Sequence, residues 1–561
     1  MASAHIAFSL SAARRRSRLG AAPMLAPALA MLGCGMALAA PVPAGDVGAS
    51  TMQQHLDQLQ QLNQQTNAAK QQGDVVVTAP SNRAGLPKPG GPTVLLKSVS
   101  FTPSVFLTPA ELDAIIAPYV GHRLDFAGIS RLVRDVNDLY AKKGIVTASA
   151  ILPPQKLSDG NLKVELVEGK VGSVAIVGAH NTSDKYILDR LHLATNGVVD
   201  VPRAAHDITY FNKTNQAQLR LQLQPGATFG LTDLALGVTE PPSNTLQFFV
   251  DNEGVPSTGA FEFGTYYRGY DLLHIDDNLT LYATKSAGSL AGTVSYDAPV
   301  TTSGTRVAGS YTRSVINVVD GPTAPLDITG NSQAVSLTVS QPLIATTDWT
   351  VLASLSGVYG NSTSDSASVP LVHSETIKGV AGLSVSYAAD GRSFSFNPQL
   401  IYAHANNLIL GTNADIVLAA GTINGSFKLN KDFSISATGA FQYSNTQLLP
   451  GDLLFQIGGP NTVRGYQADG VAGDSGYFAE VELHHDFSNL VEGMDGFVFT
   501  DFGQVYSTFP AVTSLASVGA GVSFTLPNQV TAEFSAGVPV IDALAGQPAF
   551  SAYARLVAHA F

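Results

Sequence analysis

From about residue 245 to its end, the chain consists of short segments in which apolar and polar side chains alternate. Segment 433–444 is the clearest, with Phe433, Ile435 and Tyr443 at one parity and mostly serine, threonine and glutamine at the other. Alternation with a period of two is typical of a β-strand with one apolar and one polar face. Because one face suits lipid and the other suits water, the pattern favours a transmembrane β-barrel over a sandwich with a single dry core.

Sixteen such strands are predicted, eleven before and five after a glycine-rich connection at 448–476. An even number allows an antiparallel barrel to close with both of its ends on one side of the membrane, and a barrel of this size encloses an aqueous lumen. The predicted strands are 245–252, 260–268, 277–285, 290–297, 305–315, 332–342, 348–359, 375–387, 394–404, 417–428, 433–444, 475–487, 496–506, 514–525, 530–539 and 549–560.

Composition supports this fold class. Hydrophobic residues make up 45% of the 561 residues and charged residues 13%, yet beyond the N-terminus no uninterrupted apolar run reaches the roughly 18 residues of a membrane helix. The net charge of -12 argues against a nucleic-acid-binding protein, because phosphate binding needs a basic face.

The N-terminus has the pattern of an export signal, predicted at 1–39. Four arginines within 14–18 precede an apolar stretch at 19–39, and Ala37 and Ala39 fit the small residues of a cleavage site. A lipoprotein signal at Cys34 is the alternative, although the residues before it match such a signal poorly. Cys34 is the only cysteine, so cleavage after Ala39 leaves no thiol for a disulfide or for catalysis.

Residues 51–71 are rich in glutamine and asparagine, with Leu56, Leu59 and Leu62 at a spacing of three. This pattern predicts a polar helix with a narrow apolar stripe, which is marginal in water and suits a polar cavity. A disordered glutamine-rich arm is the alternative. Residues 72–93 contain several prolines and glycines and are predicted to form a linker that lets the helix move while tethered.

Two small α+β units are predicted between the linker and the barrel, at 94–168 and 169–240. Each has the order β-α-α-β-β, and in the first unit Thr108, Pro109 and Glu111 form the start signal of a helix. The repeat indicates two copies of one module. A small sheet of this kind leaves a free edge, to which an unfolded protein can add as an extra strand. Two rigid spacers without such contact are the alternative.

Two motifs are candidates for a functional site. An arginine in the glycine-rich connection and an aspartate on a later strand can pair inside a closed barrel, where an unpaired charge would be costly. The motif residues are Val463, Arg464, Gly465 and Tyr466 in the connection, and Phe499, Asp501 and Gly503 on the strand.

These motifs resemble the VRGY and FxDxG motifs of the TpsB transporters of two-partner secretion, the haemolysin secretion/activation family within the BamA-related superfamily. Residues 251–254 with 257–259 also resemble the family's DNxG and STG turn, where asparagine and glycine tolerate a tight backbone. Phe561 resembles the terminal aromatic of an outer-membrane assembly signal. Arg555 and His559 share its parity, where that signal has apolar residues.

The resemblance implies a 16-stranded outer-membrane β-barrel, preceded by two periplasmic POTRA-like domains and a plug helix at 51–71. The implied function is secretion of a large TpsA-like exoprotein, with outer-membrane lipid and the outer-membrane assembly machinery as further partners and no cofactor. Arg464 and Asp501 would hold the connection against the barrel wall. A BamA- or TamA-like insertase is the alternative, although such proteins typically lack a plug helix, and a diffusion porin is the third option.

Two sequence patterns resemble a protease site and a metal site, but the predicted strand layout argues against both. Residues 473–476 and His206 resemble the serine and histidine motifs of trypsin-like proteases, but the predicted layout separates them. His484 and His485 lie beside two glutamates, and strand alternation sends the two imidazoles to opposite faces. We therefore expect neither catalysis nor a metal site.

Overall fold

The structure, a computed structural model, describes residues 51–52, 55–56, 58–59, 76–77, 87–468, 471–506, 512–526, 530–544 and 546–560. The predicted signal at 1–39, most of the predicted plug helix and the terminal Phe561 lie outside the described residues. Within the described ranges, no helix has the length and apolarity needed to cross a bilayer.

The elements before the barrel follow the predicted order closely. They are β1 (Val76–Val77), β2 (Val94–Leu95), β3 (Ser98–Phe101), α1 (Pro109–Ile116), β4 (Arg123–Leu124), α2 (Phe126–Lys142), β5 (Ala148–Ile151), β6 (Asn161–Glu168), β7 (Lys170–Val177), α3 (Asp184–Leu188), α4 (Val201–Thr214), β8 (Gln218–Pro225) and β9 (Leu231–Thr239).

The first α+β unit has a three-stranded sheet in the order β3-β6-β5, covered by α1 and α2. Its first helix begins as the sequence predicts: Thr108 is the N-cap, Pro109 is the first helical residue, and Glu111 completes a capping box. Leu132 and Val136 of α2 are completely buried against the sheet. These apolar contacts supply the core that a short sheet cannot form alone.

The second α+β unit has a four-stranded sheet in the order β1-β8-β9-β7. The edge strand β1 comes from the segment predicted as a linker, and it pairs in parallel with β8 through Val76 opposite Gln222 and Val77 opposite Leu223. No strand was predicted there because the three consecutive valines at 75–77 are too short a pattern. The chain thus adds its own upstream segment to the sheet edge of this unit.

The remaining strands form the closed antiparallel barrel, in sequence order around its circumference. They are β10 (Asn244–Asp251), β11 (Glu262–Tyr270), β12 (Asn278–Lys285), β13 (Ser289–Pro299), β14 (Arg306–Asn317), β15 (Ile328–Ala345), β16 (Trp349–Ser366), β17 (Val369–Ala389), β18 (Arg392–Asn407), β19 (Thr412–Lys428), β20 (Phe433–Ser444), β23 (Ser475–Asp486), β24 (Met494–Tyr506), β25 (Val512–Leu526), β26 (Val530–Pro539) and β27 (Ser551–His559). The predicted sixteen-stranded barrel is confirmed.

Strands β15 to β19 are longer than predicted, at 16 to 21 residues. A tilted strand needs only about 9–11 residues to cross the bilayer, so these strands extend beyond it. The predicted β17 began at 375, but the structure starts it at Val369. Pro370 lies at a register shift opposite Asp365, where a missing backbone N–H is tolerated.

A turn of the barrel contacts the second α+β unit. Asp276, in the turn between β11 and β12, is completely buried. Its Oδ1 accepts hydrogen bonds from the backbone N–H groups of Gln216 and Ala217 at 2.8 and 3.0 Å. Its Oδ2 pairs with Arg306 Nη1 at 3.0 Å. The turn therefore connects the unit and the barrel through a buried charge.

The turn after β10 differs from the predicted explanation. Neither Asn252 nor Gly254 has a positive φ, whereas Gly259 has φ 108°. A Cβ on Gly254 would lie 2.7 Å from Glu262 Cγ, so this glycine is required by a close approach. The prediction that Asn252 and Gly254 tolerate an unusual backbone is wrong, and their roles come from contacts.

Candidate functional site

The connection between β20 and β23 folds into the lumen as a hairpin. Its two stem strands, β21 (Phe455–Ile457) and β22 (Val471–Gly473), pair with each other rather than with the barrel wall. Val463 and Tyr466, near the tip, are buried together with Val505 and Leu515 of the wall. This apolar contact places the polar groups of the tip against β24 and its neighbours.

Arg464 and Asp501 are in direct contact inside the barrel. Arg464 Nε donates to Asp501 Oδ2 at 2.8 Å, and Nη2 donates to Oδ1 at 2.7 Å. The backbone N–H of Arg464 also donates to Oδ2 at 3.0 Å. The Asp501 side chain is fully buried and that of Arg464 is 7% exposed. Such a bidentate pair fixes both the position and the orientation of the loop.

Two further groups contact the Arg464 guanidinium. Nη1 lies 2.5 Å from Glu482 Oε1, and the central carbon lies 3.5 Å from the ring centre of Phe499. Burial alone would lower the pKa of Arg464, but its hydrogen bonds with Asp501 and the nearby carboxylates outweigh that effect and raise it. The guanidinium therefore remains charged, and its charge is balanced by carboxylates on the wall.

The glycines of both motifs permit close packing. Gly465 has φ +90°, and a Cβ there would lie 3.1 Å from the backbone of Gly537 on β26. A Cβ on Gly503 would lie 2.9 Å from Val463 Cγ2. Larger residues at either position would push the loop away from the wall.

Tyr466 connects the loop tip to the last strands of the barrel. Its hydroxyl lies 2.8 Å from the carbonyl oxygens of Ala516 and Ile541. Its backbone carbonyl accepts a hydrogen bond from the hydroxyl of Tyr553 on β27 at 3.0 Å, and the same hydroxyl lies 3.1 Å from the Gly465 nitrogen. The tip is thus attached to four wall strands, β24 to β27.

The N-terminal helical residues occupy another part of the lumen wall, on β10 to β13. The two ring nitrogens of His55 lie 3.1 Å from the hydroxyls of Thr284 and Thr293. The Tyr282 hydroxyl donates to Gln58 Oε1 at 2.9 Å. Leu59 packs in an apolar cluster on the same strands. The described part of 51–59 is therefore docked inside the barrel by its own polar side chains.

The sequence profile described as Haemolysin secretion/activation protein ShlB/FhaC/HecB matches residues 230–524, more than half of the chain. The chain belongs to the haemolysin secretion/activation family. A second profile, for a POTRA domain of the ShlB type, matches residues 94–169.

Individual relatives agree with this membership. Outer membrane transporter CdiB of Escherichia coli is 23% identical over 530 residues, covering 88% of this chain and 86% of the relative. Heme/hemopexin transporter protein HuxB of Haemophilus influenzae (strain 86-028NP) is 23% identical over 453 residues, covering 74% and 78%. The solved structure of CdiB from Escherichia coli has the same fold, with a TM-score of 0.66 at 19% identity, covering 93% of this chain and 99% of that chain.

The family relationship confirms the predicted class of function. Members of the haemolysin secretion/activation family are outer-membrane transporters of the two-partner secretion type, which form secretion pores. Their POTRA domains lie in the periplasm, so this family member has its barrel in the outer membrane and its α+β units on the periplasmic side.

In this family member, sequence reasoning missed several partners of the arginine loop. Glu482 is one of the two glutamates beside His484 and His485, where the sequence pattern suggested only a metal site, and no motif points to Gly537 or Tyr553. Strand parity could have found Glu482, since it faces the same side of the wall as its register partner Phe499. Gly537 and Tyr553 carry no sequence signal, because only the closed barrel brings β26 and β27 to the loop.

The residues of the protease-like pattern are separate and engaged elsewhere. His206, on α4, stacks on Tyr210. Ser475, on β23, accepts a hydrogen bond from the backbone N–H of Ser444 at 2.9 Å. His206 Nδ1 also lies 3.6 Å from Asp207 Oδ1, so the histidine and Ser475 contact different residues and do not form the serine–histidine pair of such proteases.

The two adjacent histidines have different surroundings. His484 pairs with Glu482 and Asp495 at 2.9 and 2.7 Å. His485 instead packs against the rings of Phe433 and Phe487. Across the described ranges, no group of three or more potential metal ligands is found.

The terminal strand carries its basic residues into the lumen. Arg555 Nη1 pairs with Glu253 Oε2 at 3.2 Å, while its neighbour Leu556 is exposed on the lipid side. His559 is the register partner of Gln247, which is buried on the lumen side of β10. Arg555 and His559 therefore lie on the lumen side, which explains why these two positions depart from the apolar pattern of the assembly signal.

Proposed function

We propose that this transporter captures an unfolded TpsA-like exoprotein in the periplasm and passes it through the barrel lumen to the cell surface. The observation that carries the proposal is the docking of His55 and Gln58 on the lumen wall. A pore that is closed by a detachable segment of its own chain suits regulated transport and does not suit passive diffusion. An insertase has no need of such a segment.

Sheet-edge pairing supports capture of the client by strand addition. The edge of β8 already accepts Val76–Val77 as a parallel strand. A client segment can form the same main-chain hydrogen bonds with an edge of either small sheet. This pairing uses the backbone of the client and depends little on which side chains the client carries. This mode suits a large client that is unfolded when it arrives.

The proposed domain organisation follows from these roles. Residues 1–39 would direct export and be removed, 51–71 would form the plug helix, and 72–93 would tether it. Residues 94–168 and 169–240 would be the two POTRA-like domains, and 245–561 the barrel. The outer-membrane assembly machinery would insert the barrel into outer-membrane lipid, with Phe561 as part of its signal.

Arg464 and Asp501 are proposed to keep the inward hairpin in place during transport. The bidentate contact, the ring of Phe499 and the close backbone approach at Gly465 support this role. Transport through this pore would need no nucleotide. Its direction would come from folding of the client outside the cell, which removes unfolded chain from the transport equilibrium.

Channel recordings in planar bilayers test the proposed plug. Protein lacking residues 51–71 is expected to show large, lasting open conductance, while the parent protein stays mostly closed. A variant with residues 78–86 replaced by the same number of glycine and serine residues keeps the tether length and β1. It is the matched control and should remain closed. Equal conductance of the plug deletion and the parent would contradict the proposal.

A further inference from the structure

The inward hairpin has a second attachment, on the wall opposite its tip contacts. Its base, residues 448–454, includes a short 3-10 turn, Gly451–Leu453, that lies against β16 to β19. The Asp452 carboxylate pairs with Lys378 Nζ of β17 at 2.9 Å. The same ammonium donates to the Asp452 carbonyl at 3.2 Å. The tip, in contrast, contacts β24 to β27.

Apolar contacts support this ion pair. Leu449 and Leu453, from the hairpin base, are buried on the lumen side of β18 and β19. Small residues on those strands, Ala403 and Ala405, leave room for the leucines. Such an apolar cluster is unusual on the wall of an aqueous lumen, and the hairpin base covers it.

The two attachments differ in strength. The side chains of Lys378 and Asp452 are 18% and 12% exposed, compared with 7% and 0% for Arg464 and Asp501. Solvent access screens the Lys378 pair, and a lysine makes one point contact where the arginine makes a bidentate one. The attachment at the hairpin base is therefore the weaker of the two.

We propose that Lys378 and Asp452 form a positioning latch that keeps the hairpin base across the lumen at rest, and that the base must leave β16 to β19 when a client passes. Each of the three segments inside the lumen then lies against its own group of wall strands. The plug covers β10 to β13, the base covers β16 to β19, and the tip contacts β24 to β27. Removal of the plug opens one part of the lumen, and release of the latch opens another. The inference rests on the proposed transport function.

Conductance tests the latch without a client. In protein lacking residues 51–71, Lys378→Met is expected to raise the frequency of the largest openings about tenfold, which corresponds to about 1.4 kcal/mol. Lys378→Arg keeps the charge and should behave as the parent does. If both substitutions raise the frequency of the largest openings, or if neither does, the proposed latch is overturned.

Cross-linking tests whether the base has to move. Thr376 Oγ1 and Asp452 Oδ1 are 3.4 Å apart, so Thr376→Cys with Asp452→Cys can be joined by a short thiol-specific reagent that reduction cleaves. Secretion is expected to fall about tenfold on cross-linking and to return on reduction. Full secretion by the cross-linked protein, with the link verified by its electrophoretic mobility, would overturn the proposal.

The controls separate this inference from the proposed function. Heat-dependent electrophoretic mobility verifies that each variant barrel is folded. If the parent secretes no client but Lys378→Met still increases conductance, the latch stands and the transport function fails. If the parent secretes its client and cross-linking has no effect, transport stands and the latch fails.

Discussion

Arg464 illustrates how one residue determines the position of a whole loop. Its guanidinium contacts Asp501, Glu482 and Phe499, which lie on two adjacent wall strands, β23 and β24. A buried ion pair is often no more stabilising than a well-packed apolar pair, but removal of one partner leaves an uncompensated charge. The residue is therefore more important for the position of the loop than for barrel stability.

Arg464→Ala should abolish secretion and leave an assembled barrel. The substitution leaves buried Asp501 without its partner, at a cost of about 3–5 kcal/mol to the docked loop. Secreted client in the medium and heat-dependent mobility of the barrel are the two measurements. Arg464→Lys is the matched control and should retain partial secretion, because one ammonium replaces only part of the bidentate contact. Normal secretion by Arg464→Ala would refute the assigned role.

His55 predicts that plug docking depends on pH. The helix is in the aqueous lumen and is not one of the membrane-spanning strands. Burial lowers the pKa of His55 from 6.5 to about 4. The docked state holds the neutral imidazole, so its stability is full above about pH 6.5 and decreases as the pH falls towards 4, by up to about 3 kcal/mol.

Conductance of the parent protein should therefore rise when the pH is lowered from 7.5 to 5. His55→Gln, which keeps hydrogen-bonding groups but does not titrate in this range, should remove most of that rise. If the parent and His55→Gln respond to pH alike, another group controls the plug.

At the scale of elements, the barrel closes through its shortest strand pair. Strands β10 and β27 share five paired positions. Asn252 extends this ladder with its side chain: Ala554 N–H donates to Oδ1 at 2.7 Å, and Nδ2 donates to the Ala552 carbonyl at 2.9 Å. The amide thus substitutes for a backbone group where the strand ends.

Asn252→Ala is predicted to weaken this closure. Loss of two hydrogen bonds costs about 1–3 kcal/mol. The temperature at which the barrel unfolds in gel mobility assays should fall for this variant. Asn244→Ala, which removes one exposed contact with Tyr267, is the control and should leave that temperature nearly unchanged. An equal effect of both substitutions would show that the bridge to β27 is unimportant.

At the scale of the whole molecule, the buried charge of Asp276 determines how the second α+β unit is attached to the barrel. Ile275, in the same turn, packs against the core of that unit. The Tyr210 hydroxyl adds a contact to the Ser303 carbonyl at 2.8 Å. The ion pair and the apolar contact together favour one fixed angle between the second α+β unit and the barrel over free rotation.

Asp276→Ala should loosen this joint. The substitution leaves Arg306 without its buried partner and frees two backbone N–H groups, so the distribution of distances between spin labels on α4 and on the barrel is expected to broaden. Asp276→Asn retains an acceptor for both N–H groups and should broaden the distribution less. Identical distributions for the parent and Asp276→Ala would show that the joint does not depend on this residue.

Local patterns predicted most of the fold. The alternation of apolar and polar residues predicted all sixteen barrel strands. Thr108, Pro109 and Glu111 predicted the start of a helix. Both patterns depend only on residues that are close in sequence. The cost of an unpaired charge inside a barrel also predicted that Arg464 and Asp501 can pair there, and the two side chains are in contact. Patterns failed for β1 and for Asn252, where the decisive neighbour is distant in sequence. They also failed for the early start of β17, where Pro370 lies at a register shift and pairs with the nearby end of β16.

The sequence by itself determined that this chain forms a barrel preceded by two small α+β units, since period, caps and turn residues are local properties. Only the tertiary structure decided which walls the hairpin touches. Closure of the barrel brings Lys378 to Asp452 and Tyr553 to Tyr466, and the curvature and register that produce these contacts belong to all sixteen strands together.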